Sequence, residues 1–244
     1  MKIKILTLFK EMYDGFLDTS IIKRARALGL VDIELVDIRD FSDNKYRHVD
    51  DTPYGGGAGM LMQVGPIARA LDSVKTEKSY TVMMSPKAKP YDQAKARELA
   101  QKEEIIIICG HYEGIDHRVS SFVDEHISIG DYILTGGELA SMVVADSIIR
   151  LRKEVISPDS LDIESYDDDL LEYPQYTKPY DYQGMKVPDI LLSGDHAKIR
   201  RYRRKMAIYE TLKYRKDLLK KHHFTDEDRQ LLEEILEDIK NGRL

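Results

Sequence analysis

The 244-residue chain has a single cysteine, Cys109. One thiol excludes an internal disulfide and any multi-cysteine metal site. Cys109 ends the run IIIIC, which predicts a buried structural thiol. No apolar run approaches the roughly 20 residues that a membrane-spanning helix needs. The N-terminus, MKIKILTLFKEMYDG, has a basic start but only a short apolar stretch and no small-residue cleavage site. It predicts a first β-strand, not a signal peptide, and a cytoplasmic protein is expected. The glycine-dense block YGGGAGM (54–60) is not followed by the Gly-Lys-Ser/Thr of a phosphate loop and does not fit the dinucleotide fingerprint. G-x-S-x-G is absent, which removes support for a serine-hydrolase elbow.

The composition is that of a globular chain, 42% hydrophobic and 33% charged, long enough for one large or two small domains. Net charge is −6, which argues against a generic nucleic-acid binder, but the charge is segregated. Asp195–His223 holds eleven Lys/Arg against three acids, whereas Asp159–Tyr173 holds seven acids and no base. Such polarity bears on function more than the sum does.

Through residue 150 the chain alternates β-branched runs with helical patterns. Strands are predicted at 3–9, 31–38, 80–85, 105–109 and 126–129. Helices are predicted near 21–28, 66–74, 91–101 and 137–151. Continuous apolar strands such as IIIIC indicate a parallel sheet covered on both faces, hence an α/β domain. Ligands of such sheets sit outside the carboxyl ends of the strands. Residues 154–188 carry four of the eight prolines and the acid cluster, and read as a linker or long surface loop. Beyond Ser193 the chain turns helical, with Asp195 able to cap a helix through Arg215 and Thr225-Asp-Glu-Asp opening a last one.

Three glycine-dense blocks outside any helical pattern suggest backbone loops wrapping a small molecule: YGGGAGM, CGHYEGID (109–116) and SIGDYILTGGE (128–138). Alone, YGGGAGM reads as a tight turn and CGHYEGID as a helix-capping turn. Together with SIGDYILTGGE they offer apolar walls from Ile129, Tyr132, Ile133 and Leu134, and backbone polar groups for a flat heteroaromatic ring. Asp131 suits loop orientation better than chemistry.

With LLEYPQYTKP and LLSGDHAKIRRYR, these blocks stand in the order seen in bacterial tRNA (guanine-N1)-methyltransferases acting at tRNA position 37, and the chain resembles that family over nearly its whole length. The resemblance implies a SPOUT-type α/β domain with a deep trefoil knot and a mostly parallel sheet, plus a small C-terminal helical domain. The expected division is 1–158 for the knotted cofactor-binding domain, 159–175 for an acidic linker and 176–244 for the tRNA-binding helices. It further implies S-adenosylmethionine as methyl donor and a homodimer with its active site between subunits. Carried over, the cofactor positions are Ser85, Pro86, Gly110, Ile129, Gly130, Asp131, Tyr132, Ile133, Leu134, Gly136 and Gly137. Substrate positions fall on Gly59, His111, Glu113, His196, Arg200 and Arg201.

The resemblance assigns Arg150 to stabilising charge on guanine O6 and an acid in the linker to general base. Relatives usually carry Asp-Ser-Phe there; this chain reads Glu164-Ser165-Tyr166, so Glu164 takes the aspartate's place, with Asp162 and Asp167 as substitutes. N1 of guanine becomes nucleophilic as its proton leaves, which a carboxylate within hydrogen-bond reach can accept. A cation at O6 stabilises the resulting charge. The family's activity is described as needing Mg²⁺; Glu113, with Glu172, is the leading carboxylate for such a role, yet the sequence assigns no metal site. The basic stretch 198–221, interleaved with Tyr202, Tyr209 and Tyr214, suits phosphate contacts along tRNA or a solvated helix face. Two rivals stay open: another SPOUT RNA methyltransferase (ribose 2′-O or other base), and a tRNA-binding protein whose catalysis has decayed.

Overall fold

The computed structural model describes residues 1–157, 165–166 and 168–243. The chain divides into two compact units, Met1–Pro158 and Asp159–Leu244.

Five strands form the sheet of the first unit: β1 (Lys2–Thr7), β2 (Asp32–Asp37), β5 (Ser79–Met84), β6 (Glu104–Ile108) and β7 (Glu125–Ile127), in the order β2-β1-β6-β5-β7. All neighbours are parallel. Sequence-predicted strands coincide with these five to within two residues at each end. The run of isoleucines explains why β6 lies at the centre. Ile105 and Ile107 enter one apolar cluster and Ile106 and Ile108 the other, all four fully buried. A strand buried on both faces needs apolar residues at every position, and each such side chain contributes on the order of 2 kcal/mol.

One face is covered by α2 (Ser20–Ala27), α4 (Gln93–Ala100) and α5 (Glu138–Ile149), through Ile22, Leu99, Val144 and Ile148. The other is covered by α3 (Val64–Val74), through Ile67, Ala70 and Leu71. Helix α1 (Asp14–Leu17) is a single short turn. Helix α5 leaves the carboxyl edge of the sheet and descends to its amino edge, where Arg152 Nη1 donates to the carbonyl of Ala100 at 2.6 Å.

A small ribbon was not expected from the sequence. β3 (Asp50–Asp51) and β4 (Leu61–Met62) pair antiparallel, so YGGGAGM joins two ribbon strands and does not follow a strand of the main sheet. Two-residue strands are too short to show a period of two.

The second unit is built on α6 (His196–Tyr214), α7 (Lys216–Leu219) and α8 (Asp226–Lys240). Asp195 caps α6 by accepting from the Lys198 N–H at 3.1 Å. Thr225 and Asp228 cap α8 reciprocally. Leu170 packs with Ala207, Ile208, Leu231 and Ile235, with Tyr173 against the same cluster. The carboxyl part of the acidic stretch therefore belongs to this core. The segment read as irregular also contains a hairpin, β8 (Asp181–Tyr182) with β9 (Met185–Lys186), turned by Gln183-Gly184 at positive φ. The signal was there: glycine in the second position of a two-residue turn.

Among the described residues no helix is long and apolar enough to cross a membrane.

Candidate functional site

Three loops converge at the carboxyl ends of β6, β5 and β7. After β5, the Ser85 N–H donates to the Ile127 carbonyl at 2.8 Å, and the Tyr91 N–H to the Ser128 carbonyl at 2.7 Å. After β6, the Gly110 carbonyl accepts from the Gly137 N–H at 2.7 Å, and His111 bridges Gly136. After β7, the loop turns back on itself: the Tyr132 N–H donates to the Gly130 carbonyl at 3.0 Å and its hydroxyl to the Ile129 carbonyl at 3.3 Å. Ser85, Gly110, Ile129, Gly130, Gly136 and Gly137 are thus brought together, with Pro86 exposed beside Ser85.

Close packing dictates glycine at 137. A Cβ there would stand 2.8 Å from Cys109 Cα and 2.9 Å from the Gly110 nitrogen, both backbone atoms. So close an approach of two backbones leaves no room for any side chain at position 137. The apolar side chains of the third loop are presented outward, Tyr132 at 55%, Ile133 at 81% and Leu134 at 36% exposure. Asp131 is also exposed.

The ribbon completes the neighbourhood. Met62 donates its N–H to Gly114 and accepts from the Asp116 N–H, while the Glu113 N–H donates to Met60. Gly59 lies against Glu113, whose Cγ would be 2.2 Å from a Cβ at that position. YGGGAGM and CGHYEGID thereby form one surface, and Gly59, His111 and Glu113 share it. Among the described residues no three His, Cys, Asp or Glu gather into a group that could hold a metal ion. Among the described residues Mg²⁺ is therefore offered no dedicated cage.

Cys109 lies beneath this site, fully buried, its sulfur 3.4 Å from the Tyr13 hydroxyl. Burial pushes its thiol up to about 12. That matches the structural role expected of it.

Arg150 is not in this cluster. It caps the far end of α5, and at 1.5 Å per residue the 13 steps from Gly137 carry it roughly 20 Å away. The proposed base Glu164 and its neighbours Asp162 and Asp167 lie outside the described residues.

The basic helix α6 divides into two populations. Arg201 pairs with Glu234 at 2.5 Å, Lys205 with Asp238 at 2.7 Å, and Arg204 with Asp228 at 2.6 Å and Asp168 at 2.9 Å. Arg203 stacks on Tyr173 at 4.9 Å. Arg200 is exposed and joins no ion pair among the described residues; His196, in the first turn, is exposed as well. Charge counting in the sequence could not separate these groups, because the partners come from α8 and from residues 168–173.

Residues 1–221 match the family described as tRNA (Guanine-1)-methyltransferase TrmD. The tRNA (guanine-N(1)-)-methyltransferase of Dictyoglomus turgidum is 51% identical over 241 residues, covering 98% of each chain. That of Syntrophomonas wolfei is 50% identical over 244 residues, covering both chains completely. That of Carboxydothermus hydrogenoformans is 51% identical over 234 residues, 95% of this chain and 92% of the relative. The chain belongs to the tRNA (guanine-1)-methyltransferase family, a family of enzymes.

Proposed function

We propose that this protein transfers a methyl group from S-adenosylmethionine to N1 of guanosine 37 of tRNA, beside the anticodon. The observation that carries the reading is the lacing of the loops at 85–91, 109–116 and 128–138 into one backbone-lined site. Ser85, Gly110 and residues 129–134 would hold the adenosine part of the donor, with Gly136 and Gly137 shaping the floor. The bound donor supplies a methyl carried on a positively charged sulfur. The protein supplies alignment and charge.

Arg150 would stabilise the negative charge that develops on guanine O6 as N1 loses its proton. Its separation from the loops along α5 favours a site built from two protomers, Arg150 of one facing the loops of its partner in an isologous dimer. Glu164 would accept the N1 proton. The exposed Tyr132, Ile133 and Leu134, continued by Leu139 and Val143 on α5, suit a surface covered by donor and second protomer. The trefoil knot would be formed where the 128–137 segment passes the 109–111 loop. Arg200 and His196 would contact tRNA phosphates, positioning a guanosine whose unstacking costs only a few kcal/mol.

Single-turnover methylation of tRNA transcripts carrying guanosine or adenosine at position 37 tests this. Transfer to the first only, with a primer-extension stop at position 37, is expected. Read-through of fully methylated product, or tRNA and donor binding without transfer, would overturn it in favour of another methylated atom or a decayed enzyme.

A further inference from the structure

Glu138 has no part in the steps above. It is the first residue of α5, where an acid ordinarily complements the helix dipole from the surface. Here the residue is 1% exposed. Buried carboxylates are rare unless something compensates them. Oε1 accepts from the Thr7 hydroxyl at 2.8 Å, and the Thr7 oxygen in turn accepts from the Phe9 N–H at 3.0 Å. Oε2 faces His111 Nδ1 at 4.0 Å. That nitrogen is buried and has no hydrogen-bond partner among the described residues. The His111 ring is held by Phe9 at 4.8 Å and Tyr112 at 5.1 Å.

Gly136 lies between the two groups. A Cβ there would stand 2.3 Å from Glu138 Oε2 and 2.6 Å from His111 Nδ1. The end of β1, the loop after β6, the turn at 136–137 and the start of α5 therefore meet at one carboxylate. A carboxylate opposite an otherwise unsatisfied imidazole nitrogen favours the tautomer with its proton on Nδ1.

We infer that Glu138 is a positioning residue for methyl-donor binding: seated on Thr7 and facing His111, it fixes the 136–137 turn and the loop at 109–116 against each other. The inference rests on the reading of those loops as the S-adenosylmethionine site.

The test uses the full-length protein. Glu138→Gln keeps the shape and can still accept from Thr7, but removes the charge facing His111. Thr7→Val removes the donor to Glu138 and with it the acceptor of the Phe9 N–H, and Thr7→Ser restores both. Donor affinity is read by calorimetry, folding by melting without donor, and KM against kcat in steady-state tRNA methylation. For Glu138→Gln and Thr7→Val the donor Kd and KM are expected to rise about tenfold, with kcat falling less than threefold and an affinity loss larger than the fall in melting temperature accounts for. Thr7→Ser is expected to recover most of the affinity. Wild-type affinity in both weakened variants, or an affinity loss that tracks the melting temperature and is not rescued by serine, overturns the inference. If Glu138→Gln does not fold, the two Thr7 variants decide by the same criterion. Gly137→Ala separates the two levels. If it too leaves the donor Kd unchanged, the loops are not the donor site; if it alone weakens binding, only the role of Glu138 fails.

Discussion

The Gly137 N–H donates to the Gly110 carbonyl at 2.7 Å, and so ties the start of α5 to the loop after β6. The backbone at Gly137 is ordinary (φ −82°), so only space restricts the position. Gly137→Ala would push a methyl into the backbone of Cys109 and Gly110, which cannot swing aside as a side-chain tip would. A destabilisation of about 1–3 kcal/mol is expected, with a donor affinity at least tenfold weaker. Thermal melting and calorimetry check both.

Arg150 and the loops stand at opposite ends of α5, so complementation between protomers becomes measurable. Arg150→Ala is expected to lower kcat by about 10² to 10³ without changing donor affinity, as for loss of an oxyanion-stabilising group. Mixed with Gly137→Ala protein and allowed to exchange subunits, it should regain roughly a quarter of wild-type activity, because half the dimers are mixed and each holds one intact site. Absence of any recovery after confirmed exchange would place loop and arginine in the same protomer's site.

In the second unit, burial works to raise the Asp228 carboxyl, but hydrogen bonds from Arg204 and from Thr225 outweigh it and hold it well below the usual carboxylate range. A depressed native value means that Asp228 stabilises the fold above its unfolded value, near pH 4, and that this contribution is lost as pH falls below it. Melting temperature should therefore decline steeply below about pH 4, and less so in Asp228→Asn. At neutral pH that variant should lose about 3 kcal/mol, since Arg204 is left half-buried without its main partner. Urea unfolding at pH 7 and pH 3.5 measures both.

Arg200 and Arg201 are neighbours with different expected fates. Arg201 is held by Glu234, whereas Arg200 joins no ion pair among the described residues. Arg200→Ala should weaken tRNA binding and reduce the salt dependence of log Kd by about one unit, as loss of one phosphate contact would. Arg201→Ala should cost less in RNA affinity and change the salt slope little. Filter binding at several salt concentrations distinguishes them.

Cys109 should resist thiol reagents in the native protein, because its thiol is fully buried and pushed up to about 12. Labelling with a chromogenic disulfide is expected only after denaturation. Rapid labelling of folded protein would contradict the buried position.

The sequence by itself determined the five strands of the main sheet and helices α2 to α5 of the first unit. Their apolar residues recur with the periods of two and 3.6 residues that each structure imposes, and the isoleucines at 105–108 specify a strand buried on both sides. It also determined the capped helices from Asp195 and Thr225, since capping is a local bond. The short ribbon around 54–60 and the hairpin at 181–186 are below the length at which a period shows, and only the structure decided them. Tertiary structure alone decided which cations of α6 are neutralised and how far Arg150 stands from the loops. It alone brought Thr7 to Glu138 across 131 residues. A glutamate opening a helix reads as a surface residue until the fold closes over it: burial is a property of long-range packing, not of local sequence.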